Sequence, residues 1–169
     1  MSRVDRLAAP DITGRSFTIR AEIDKQRPLD GVILAWGSRF GGLSFYVKDG
    51  RLTLRYVFSQ DETTVLSVAE QASLGRIELV AEFRRGPDGS VMLTLDGTGL
   101  EAASLPIPRT WPTHGMTAGL SCGEDRGLPV STDYPRPNTF RGGTLRQVSV
   151  EVLDGIAAAK GSGPIALED

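Results

Sequence analysis

The sequence predicts an all-β protein built as an antiparallel sandwich of two β-sheets. Apolar and polar residues alternate with a period of two in most segments, as from Phe17 to Ile23. Turn-forming residues, among them 20 glycines and 10 prolines, separate these segments. A helical period is absent, and only residues 157–160 could form a helical turn. Repeated short strands joined by turns are typical of a sandwich or barrel, and we expect about ten to twelve strands in two sheets.

The individual strands follow from the alternation. In chain order they are 16–24, 32–36, 43–47, 52–58, 63–68, 77–83, 91–95, 116–121 and 145–153. The run 32–36 is apolar throughout, which indicates a strand buried on both faces. Asp49 and Gly50 predict a tight hairpin turn because both tolerate positive φ, and Gly86–Gly89 and Asp96–Gly97 also have the composition of turns. The predicted organisation is an N-terminal extension at 1–13, the sandwich at 14–153 and a C-terminal tail at 154–169.

Composition limits the classes of function. The 169 residues suffice for one domain with a core, and the net charge of −2, with arginines interspersed among acidic residues, argues against nucleic-acid binding. The single cysteine, Cys122, excludes an internal disulfide. Met1 to Arg6 precede no apolar stretch, and no apolar run approaches the length of a membrane helix. We therefore expect no signal peptide, no membrane partner and a cytoplasmic location.

The stretch from Met116 to Val150 is the most informative about function. Two strand-like runs flank a long segment rich in Gly, Pro, Asp and Tyr. A loop of that length in a compact domain usually has a function or is held by its own contacts. A second glycine-rich loop runs from Trp36 to Gly42. We expect any ligand to contact these two loops.

Several of these segments resemble a known family. Residues 41–56 resemble the central hairpin of concanavalin A-like and laminin G-like jelly rolls. Together with 36–42, 91–97, 127–135 and 140–142, they are similar to the C-terminal β-sandwich module of bacterial arylsulfatases. The most specific part is Gly-x-Pro-Val-Ser-x-Asp-Tyr at 127–134. The resemblance spans about residues 14 to 153 and implies a jelly-roll fold, here without the catalytic domain that this module follows in the sulfatases.

A sulfatase nucleophile is not expected. Sulfatases generate it from Cys-x-Pro/Ala-x-Arg, and Cys122 and Arg126 have that spacing. Glu124 stands where Pro or Ala is required, and the accompanying metal carboxylates and histidines are missing. We therefore assign no catalytic residue to this segment.

Other catalytic and zinc candidates are weak. His114, the single histidine, lies in a turn-like Pro-Thr-His-Gly and more simply serves as a surface residue. One histidine and one cysteine cannot supply the usual zinc ligands. Glu78 and Glu82 share a strand face, but four residues of strand separate them by about 13 Å, which exceeds the spacing of glycosidase carboxylates. Solvated strand charges are the simpler interpretation.

Calcium is the metal that the long loop could bind. Glu124, Asp125 and Asp133 offer hard oxygen ligands, and some laminin G-like domains bind calcium at a sandwich edge. The alternative is that Asp125 and Asp133 accept hydrogen bonds within turns. Tyr134 also has a structural alternative, since its ring can pack on the sandwich while its hydroxyl holds the loop.

The candidate ligand-binding residues are aromatic and charged side chains of the loops. Sugar recognition uses aromatic faces together with Asp, Asn and Arg, and protein interfaces use the same residue types. Trp36 ends an apolar run and is equally compatible with the core. The selected residues are Trp36, Arg39, Phe40, Asp125, Arg126, Asp133 and Tyr134, with Trp111 and Arg136 nearby.

Three functions remain open. The first is a non-catalytic binding or accessory module that recognises carbohydrate or a similar polar ligand through edge loops. The second is a protein-interaction subunit that packs on a partner enzyme or self-assembles. The third is a small hydrolase or lyase with an unrecognised acid–base site. The first is favoured by the resemblance and by the residue types of the loops.

Overall fold

The computed structural model describes residues 3–4, 12, 14–88, 90–110, 119–125, 129–135, 138–153 and 165–168. It contains eleven strands: β1 (Arg3–Val4), β2 (Phe17–Ser38), β3 (Gly41–Lys48), β4 (Arg51–Ser59), β5 (Glu62–Ala69), β6 (Gly75–Arg85), β7 (Val91–Gly97), β8 (Ala103–Ile107), β9 (Leu120–Cys122), β10 (Arg141–Val152) and β11 (Ile165–Glu168). The described part of the chain holds no helix, and therefore none that could span a membrane.

The strands form two antiparallel sheets that share β2. In the front sheet, the second part of β2 pairs with β3 and β9, which gives the order β1-β9-β2-β3-β4-β5. In the back sheet, the first part of β2 pairs with β6 and β10, which gives the order β11-β10-β2-β6-β7-β8. The two-sheet antiparallel sandwich predicted from the sequence is confirmed.

The predicted strands 16–24 and 32–36 are one continuous strand of 22 residues. The segment between them contains Lys25, Arg27 and Pro28, whose polarity and turn propensity suggest a loop. In the structure it bends from one sheet into the other. Gly31 lies at the bend with a φ of 97°, where an added Cβ would lie 2.4 Å from the carbonyl oxygen of Thr139. The bend therefore depends on a glycine at this position.

Other elements also differ in extent from the sequence prediction. β8 is missing from the prediction because its Pro106 and short length weaken the strand signal. Strand β7 continues through Asp96 and Gly97, so that its turn falls at Thr98 and Gly99. The Asp49–Gly50 turn is confirmed, with φ values of 51° and 72°. β1 and β11 add residues 3–4 and 165–168 to the sheets, and the domain limits 14 and 153 stay a prediction.

The main core lies between the two sheets. Alternate residues point inward, so that Leu43, Phe45 and Val47 of β3 belong to the same buried cluster as Leu93 and Leu95 of the opposite sheet. Cys122 is also buried in this cluster. Burial of these apolar side chains is the main stabilising contribution to such a sandwich.

A second, smaller core lies on the outer face of the front sheet. It joins four residues of β2, β3 and β4 to two residues of the loop at 123–140: Val32, Ala35, Tyr46, Val57, Val130 and Tyr134. We refer to these six residues as the outer cluster and to residues 123–140 as the long loop. The outer cluster explains why residues 31–38 of β2 are buried on both faces.

Candidate functional site

The long loop is fixed to the front sheet by a buried hydrogen-bond network around Asp125. The Asp125 carboxylate accepts hydrogen bonds from the Val130 amide at 2.7 Å and from the Tyr134 hydroxyl. The Asp125 amide donates to the Asn138 side-chain oxygen at 2.8 Å, and the Tyr134 hydroxyl shares a 3.1 Å hydrogen bond with Ser44. Asp125 is 5% exposed and Tyr134 is 6% exposed. Both side chains therefore have the structural role that the sequence left open for them.

Asp133 lies at the outer edge of the same loop and faces a different set of partners. Its carboxylate accepts hydrogen bonds from the Tyr46 hydroxyl at 2.7 Å and from Lys48 at 2.9 Å, and Arg55 lies 3.6 Å away. The Tyr46 hydrogen bond, followed by Lys48 and Arg55, holds the pKa of Asp133 below its usual value. Asp133 is therefore ionised at neutral pH.

Tyr46 lies beneath Asp133, and its hydroxyl is held in the neutral form. Burial, together with its hydrogen bond to Asp133, raises the pKa of Tyr46 to about 12. The Arg55 Nε donates to the Tyr46 oxygen at 3.3 Å and opposes this shift without reversing it. Burial and the neighbouring Asp125 carboxylate likewise raise the pKa of Tyr134. At neutral pH both hydroxyls are hydrogen-bond donors rather than bases.

The long loop and the outer face of the front sheet enclose an open groove of about 530 Å³. Loop residues 130–133 form one wall, and the outward-facing side chains of β4 and β5 form the floor. The lining is mostly polar: Arg39, Arg55, Val57, Gln60, Thr63, Val130, Ser131, Thr132 and Asp133. A groove of this size can hold one to a few sugar rings or a comparable polar ligand.

Arg39 and Phe40 lie in the turn between β2 and β3. Phe40 is 47% exposed, and the Arg39 guanidinium lies 5.0 Å from the centre of its ring. Phe40 therefore presents an aromatic surface beside a groove-lining cation.

The structure brings only some of the predicted ligand residues together. Arg39 and Asp133 line the groove, and Phe40 adjoins Arg39 in the chain. Trp36 is 3% exposed and packs in the main core, 6.1 Å from Phe17 between ring centres. Of the two positions that the sequence allows for Trp36, the structure has the core position. Trp111, His114, Arg126 and Arg136 lie outside the described residues.

Outside the two predicted loops, the sequence analysis missed four groove residues: Arg55, Val57, Gln60 and Thr63. Arg55 and Thr63 are the polar members of alternating strands, which predicts only a solvated face. The signal that could reveal them is their register opposite the residues beneath the loop, since Arg55 pairs with Ser44 and Thr63 pairs with Val57. That register places them on the same face as the outer cluster.

The predicted calcium ligands accept hydrogen bonds from donors of the protein. Asp125 and Asp133 each accept hydrogen bonds from tyrosine, and Asp133 is also paired with Lys48. Among the residues that the structure describes, no group of three or more His, Cys, Asp or Glu side chains could hold a metal ion. Calcium at Asp125 and Asp133 stays a prediction.

The outer face of the back sheet carries a second, shallower depression of about 270 Å³. Its lining includes Glu78 and Glu82, the pair considered above as a glycosidase set, together with Asp96 and Arg20. Arg20 lies 3.2 Å from Glu78, and Arg84 lies 3.4 Å from Glu82. Both carboxylates are thus paired on an exposed surface, in line with the solvated-charge interpretation.

Comparisons with known proteins bear on the fold. No protein-family profile matches the sequence, and no curated protein matches it. Among solved structures, the Ruminococcus gnavus IT-sialidase CBM40 bound to α2,3-sialyllactose is similar, with a TM-score of 0.57, 12% identity, and coverage of 83% of this chain and 78% of that chain. Domains LG4-5 of the mouse laminin α1 chain give a TM-score of 0.57 at 14% identity, and cover 83% of this chain and 37% of that chain.

A SAP-like pentraxin of Limulus polyphemus is also similar, with a TM-score of 0.50 and 14% identity over 92% of this chain and 81% of that chain. Identities this low show the fold alone. The chain is thus an all-β jelly roll, with the sandwich architecture of CBM40 and laminin G domains, as the sequence predicts.

Proposed function

We propose that this protein is a non-catalytic binding module that holds a carbohydrate or a similar polar ligand in the groove between the long loop and the front sheet. The observation that carries the proposal is the groove itself, which is open and lined mostly by polar side chains. Asp125 and Tyr134 fix the wall, and the hydrogen-bonded strands β4 and β5 fix the floor. Such preorganisation lowers the entropic cost of binding.

The side chains around the groove suit a sugar. Phe40 offers an exposed ring against which the apolar face of a sugar can lie. Arg39, Arg55, Gln60, Thr63 and Asp133 offer hydrogen-bond donors and acceptors for hydroxyl groups. The sandwich is similar in fold to the R. gnavus CBM40 that was solved with sialyllactose, which supports a carbohydrate ligand for this chain as well.

The same geometry argues against acid–base catalysis in the groove. Tyr46 and Arg55 form the Tyr–Arg pair that a lyase would need, but Tyr46 is fully buried and its pKa is raised to about 12. A general base works best with a pKa near the working pH. Tyr46 is therefore placed to orient Asp133 and Arg55.

No second function has a specific observation in its favour. Among the described residues, the exposed large apolar side chains lie in different strands and loops: Phe40, Val65, Leu74, Met92 and Leu153. Singly exposed apolar residues are normal on a soluble surface. The resemblance to an arylsulfatase accessory module therefore remains a resemblance, and a partner enzyme is not proposed from it.

The proposal is tested on a glycan array, followed by calorimetry on the glycans that bind. Thr63→Trp fills the groove from an exposed position on β5 and is expected to abolish binding while leaving the melting temperature unchanged. Thr94→Trp, on the outer face of the back sheet, is the matched control and is expected to bind as the parent chain does.

The outcomes separate the alternatives. Absence of binding to every glycan, both with added calcium and with a chelator, would overturn the proposal. Binding that Thr94→Trp abolishes and Thr63→Trp preserves would move the site to the back sheet. Binding that the chelator removes would support the predicted calcium at Asp125 and Asp133.

A further inference from the structure

The groove contains more positive than negative charge. The charged side chains that line it are Arg39, Arg55 and Asp133. Asp133 is already compensated from outside the groove, because Lys48 lies 2.9 Å from its Oδ1 and also donates to its carbonyl oxygen at 2.5 Å. With Lys48 and Asp133 taken as a neutral pair, two guanidinium charges remain to face the groove.

Arg55 is held in place and keeps N–H donors that its protein contacts do not use. Its Nε donates to the Tyr46 oxygen at 3.3 Å, and one terminal nitrogen lies 3.6 Å from Asp133. A guanidinium has five N–H donors in a rigid plane, so these contacts orient Arg55 without exhausting it. Its side chain is 21% exposed, which leaves part of it open to a ligand.

Arg39 is the more exposed of the two cations. It forms no ion pair with any residue in the described ranges and lies over the ring of Phe40. A cation stacked beside an exposed aromatic ring presents an apolar surface and a positive charge side by side. That combination suits a sugar ring that carries an anionic substituent.

The positive groove contrasts with the rest of the molecule. The chain carries a net charge of −2, and the back-sheet depression is lined by Glu78, Glu82 and Asp96 against the single cation Arg20. The groove and the depression thus differ in the sign of their lining charges, which favours the groove for an anionic ligand.

We propose that the ligand of the groove is an anionic glycan, whose carboxylate or sulfate group is bound by Arg39 and Arg55. The inference rests on the proposed binding function and specifies its ligand class. Guanidinium groups bind planar carboxylates and sulfates through charge-assisted hydrogen bonds, which are about twice as strong as neutral ones. A neutral glycan would leave both cations without a matching charge.

Matched pairs of ligands test the role of the charge. The first two pairs are 3′-sialyllactose and an oligogalacturonate, each with its carboxyl methyl ester. The third is a sulfated galactan oligosaccharide with its desulfated form, which distinguishes sulfate from carboxylate. For at least one pair, calorimetry is expected to show that the anionic form binds about 10-fold or more tightly than the neutral form at low salt, because hydrogen bonds to a charged group are the stronger ones. Added salt is expected to reduce this difference in affinity between the anionic and neutral forms.

Charge-removing variants locate the contact. Arg39→Gln and Arg55→Gln are each expected to weaken binding of the anionic ligand about 10-fold and to weaken binding of the neutral form by a smaller factor, because Gln keeps amide donors for hydroxyl groups but loses the charge. Arg51→Gln is the matched control, because Arg51 lies on the outward side of the same strand, does not line the groove and bonds to Ser67. Arg55→Lys keeps the positive charge of the side chain. Melting curves of all the variants show whether any substitution disturbs the fold.

The results distinguish this inference from the proposed function. If neutral glycans bind in the groove as tightly as anionic ones, the inference is wrong and the binding function stands. The inference would also be overturned if Arg51→Gln weakened binding of the anionic ligand and Arg39→Gln and Arg55→Gln did not. If the glycan array shows no ligand of either kind, the binding function itself fails.

Discussion

Tyr46 and Tyr134 lie side by side beneath the long loop, and each hydroxyl has its own carboxylate partner. Their ring centres are 4.9 Å apart at 77°, an edge-to-face arrangement. Tyr46 donates to Asp133, which is partly exposed, and Tyr134 donates to Asp125, which is buried. Tyr46 therefore orients Asp133 at the groove, whereas Tyr134 fixes the loop.

The raised pKa of Tyr46 predicts how the site responds to alkali. Because the folded pKa of about 12 exceeds the ordinary value of 10.0, the neutral phenol stabilises the folded chain fully below pH 10, and this contribution is lost as the pH rises toward 12. Titration of phenolate absorbance is expected to show Tyr46 ionising near 12. Asp133→Asn should lower that pKa but keep it above 10.0, since burial is the larger cause. Ionisation of Tyr46 near 10.0 in the parent chain would contradict this assignment.

Loss of the Tyr134 hydroxyl should destabilise the chain more than loss of the Tyr46 hydroxyl. Tyr134→Phe removes a donor from the buried Asp125 carboxylate and is expected to cost about 1–3 kcal/mol of unfolding free energy. Tyr46→Phe is the matched comparison, and its cost should be smaller because Asp133 is exposed and retains Lys48. Chemical denaturation measures both, and an equal or reversed order would contradict the buried network.

Arg39 and Asp133, which line the groove, could be selected from the sequence because loop position and residue type suffice to select them. Arg55 could not. Its partner Asp133 lies 78 positions later in the sequence, and the alternation of β4 predicts only that Arg55 faces outward. Whether an outward face is bare or covered by a loop depends on tertiary packing, which the local pattern does not contain.

Among the elements, β2 determines the architecture because it is central in both sheets. Its two parts could be predicted as strands from alternation and from the apolar run. Their continuity could not, since Pro28 and its charged neighbours suggest a loop. Strand β10 pairs with β2 on both sides of this segment, from Phe17 to Lys25 and again at Asp30, with register shifts at 141–143 and 145–147 of β10.

The bend of β2 should be sensitive to any side chain at Gly31. Gly31→Ala would force a Cβ to within 2.4 Å of the Thr139 carbonyl at a φ of 97°, and we expect a loss of more than about 2 kcal/mol. Gly50→Ala is the control, because Gly50 also has positive φ but an added Cβ meets nothing within 4 Å. Denaturation midpoints compare the two, and equal losses would show that the close approach is unimportant.

At the scale of the whole molecule, the shared strand predicts that the two sheets unfold together. Neither sheet keeps its strand order without β2, so the sandwich should behave as one cooperative unit. The fold class could be predicted from alternation alone, although similar solved structures share only 12–14% identity. Alternation reports which faces are buried, and many sequences satisfy the same pattern of burial.

A cavity in the back sheet tests this cooperativity. Leu95→Ala, at a fully buried position of β7, is expected to cost about 2–5 kcal/mol. Hydrogen exchange should then show that the free energy of opening falls by a similar amount for the slowest-exchanging amides of β3, in the front sheet. Met92→Ala, at an exposed position of the same strand, should leave both sheets unchanged. Loss of protection confined to the back sheet would show that the sheets unfold separately.

The outer cluster determines which residues of the long loop can be substituted. Val130 and Tyr134 anchor the long loop on four residues of the front sheet that do not belong to the main core. The rim residues between them, Ser131 to Asp133, can therefore vary without a cost to the packing between the sheets. Such a scaffold can be retargeted: a library randomised at Thr132, Gln60 and Thr63 would alter ligand preference on an unchanged framework, as in an engineered binding protein.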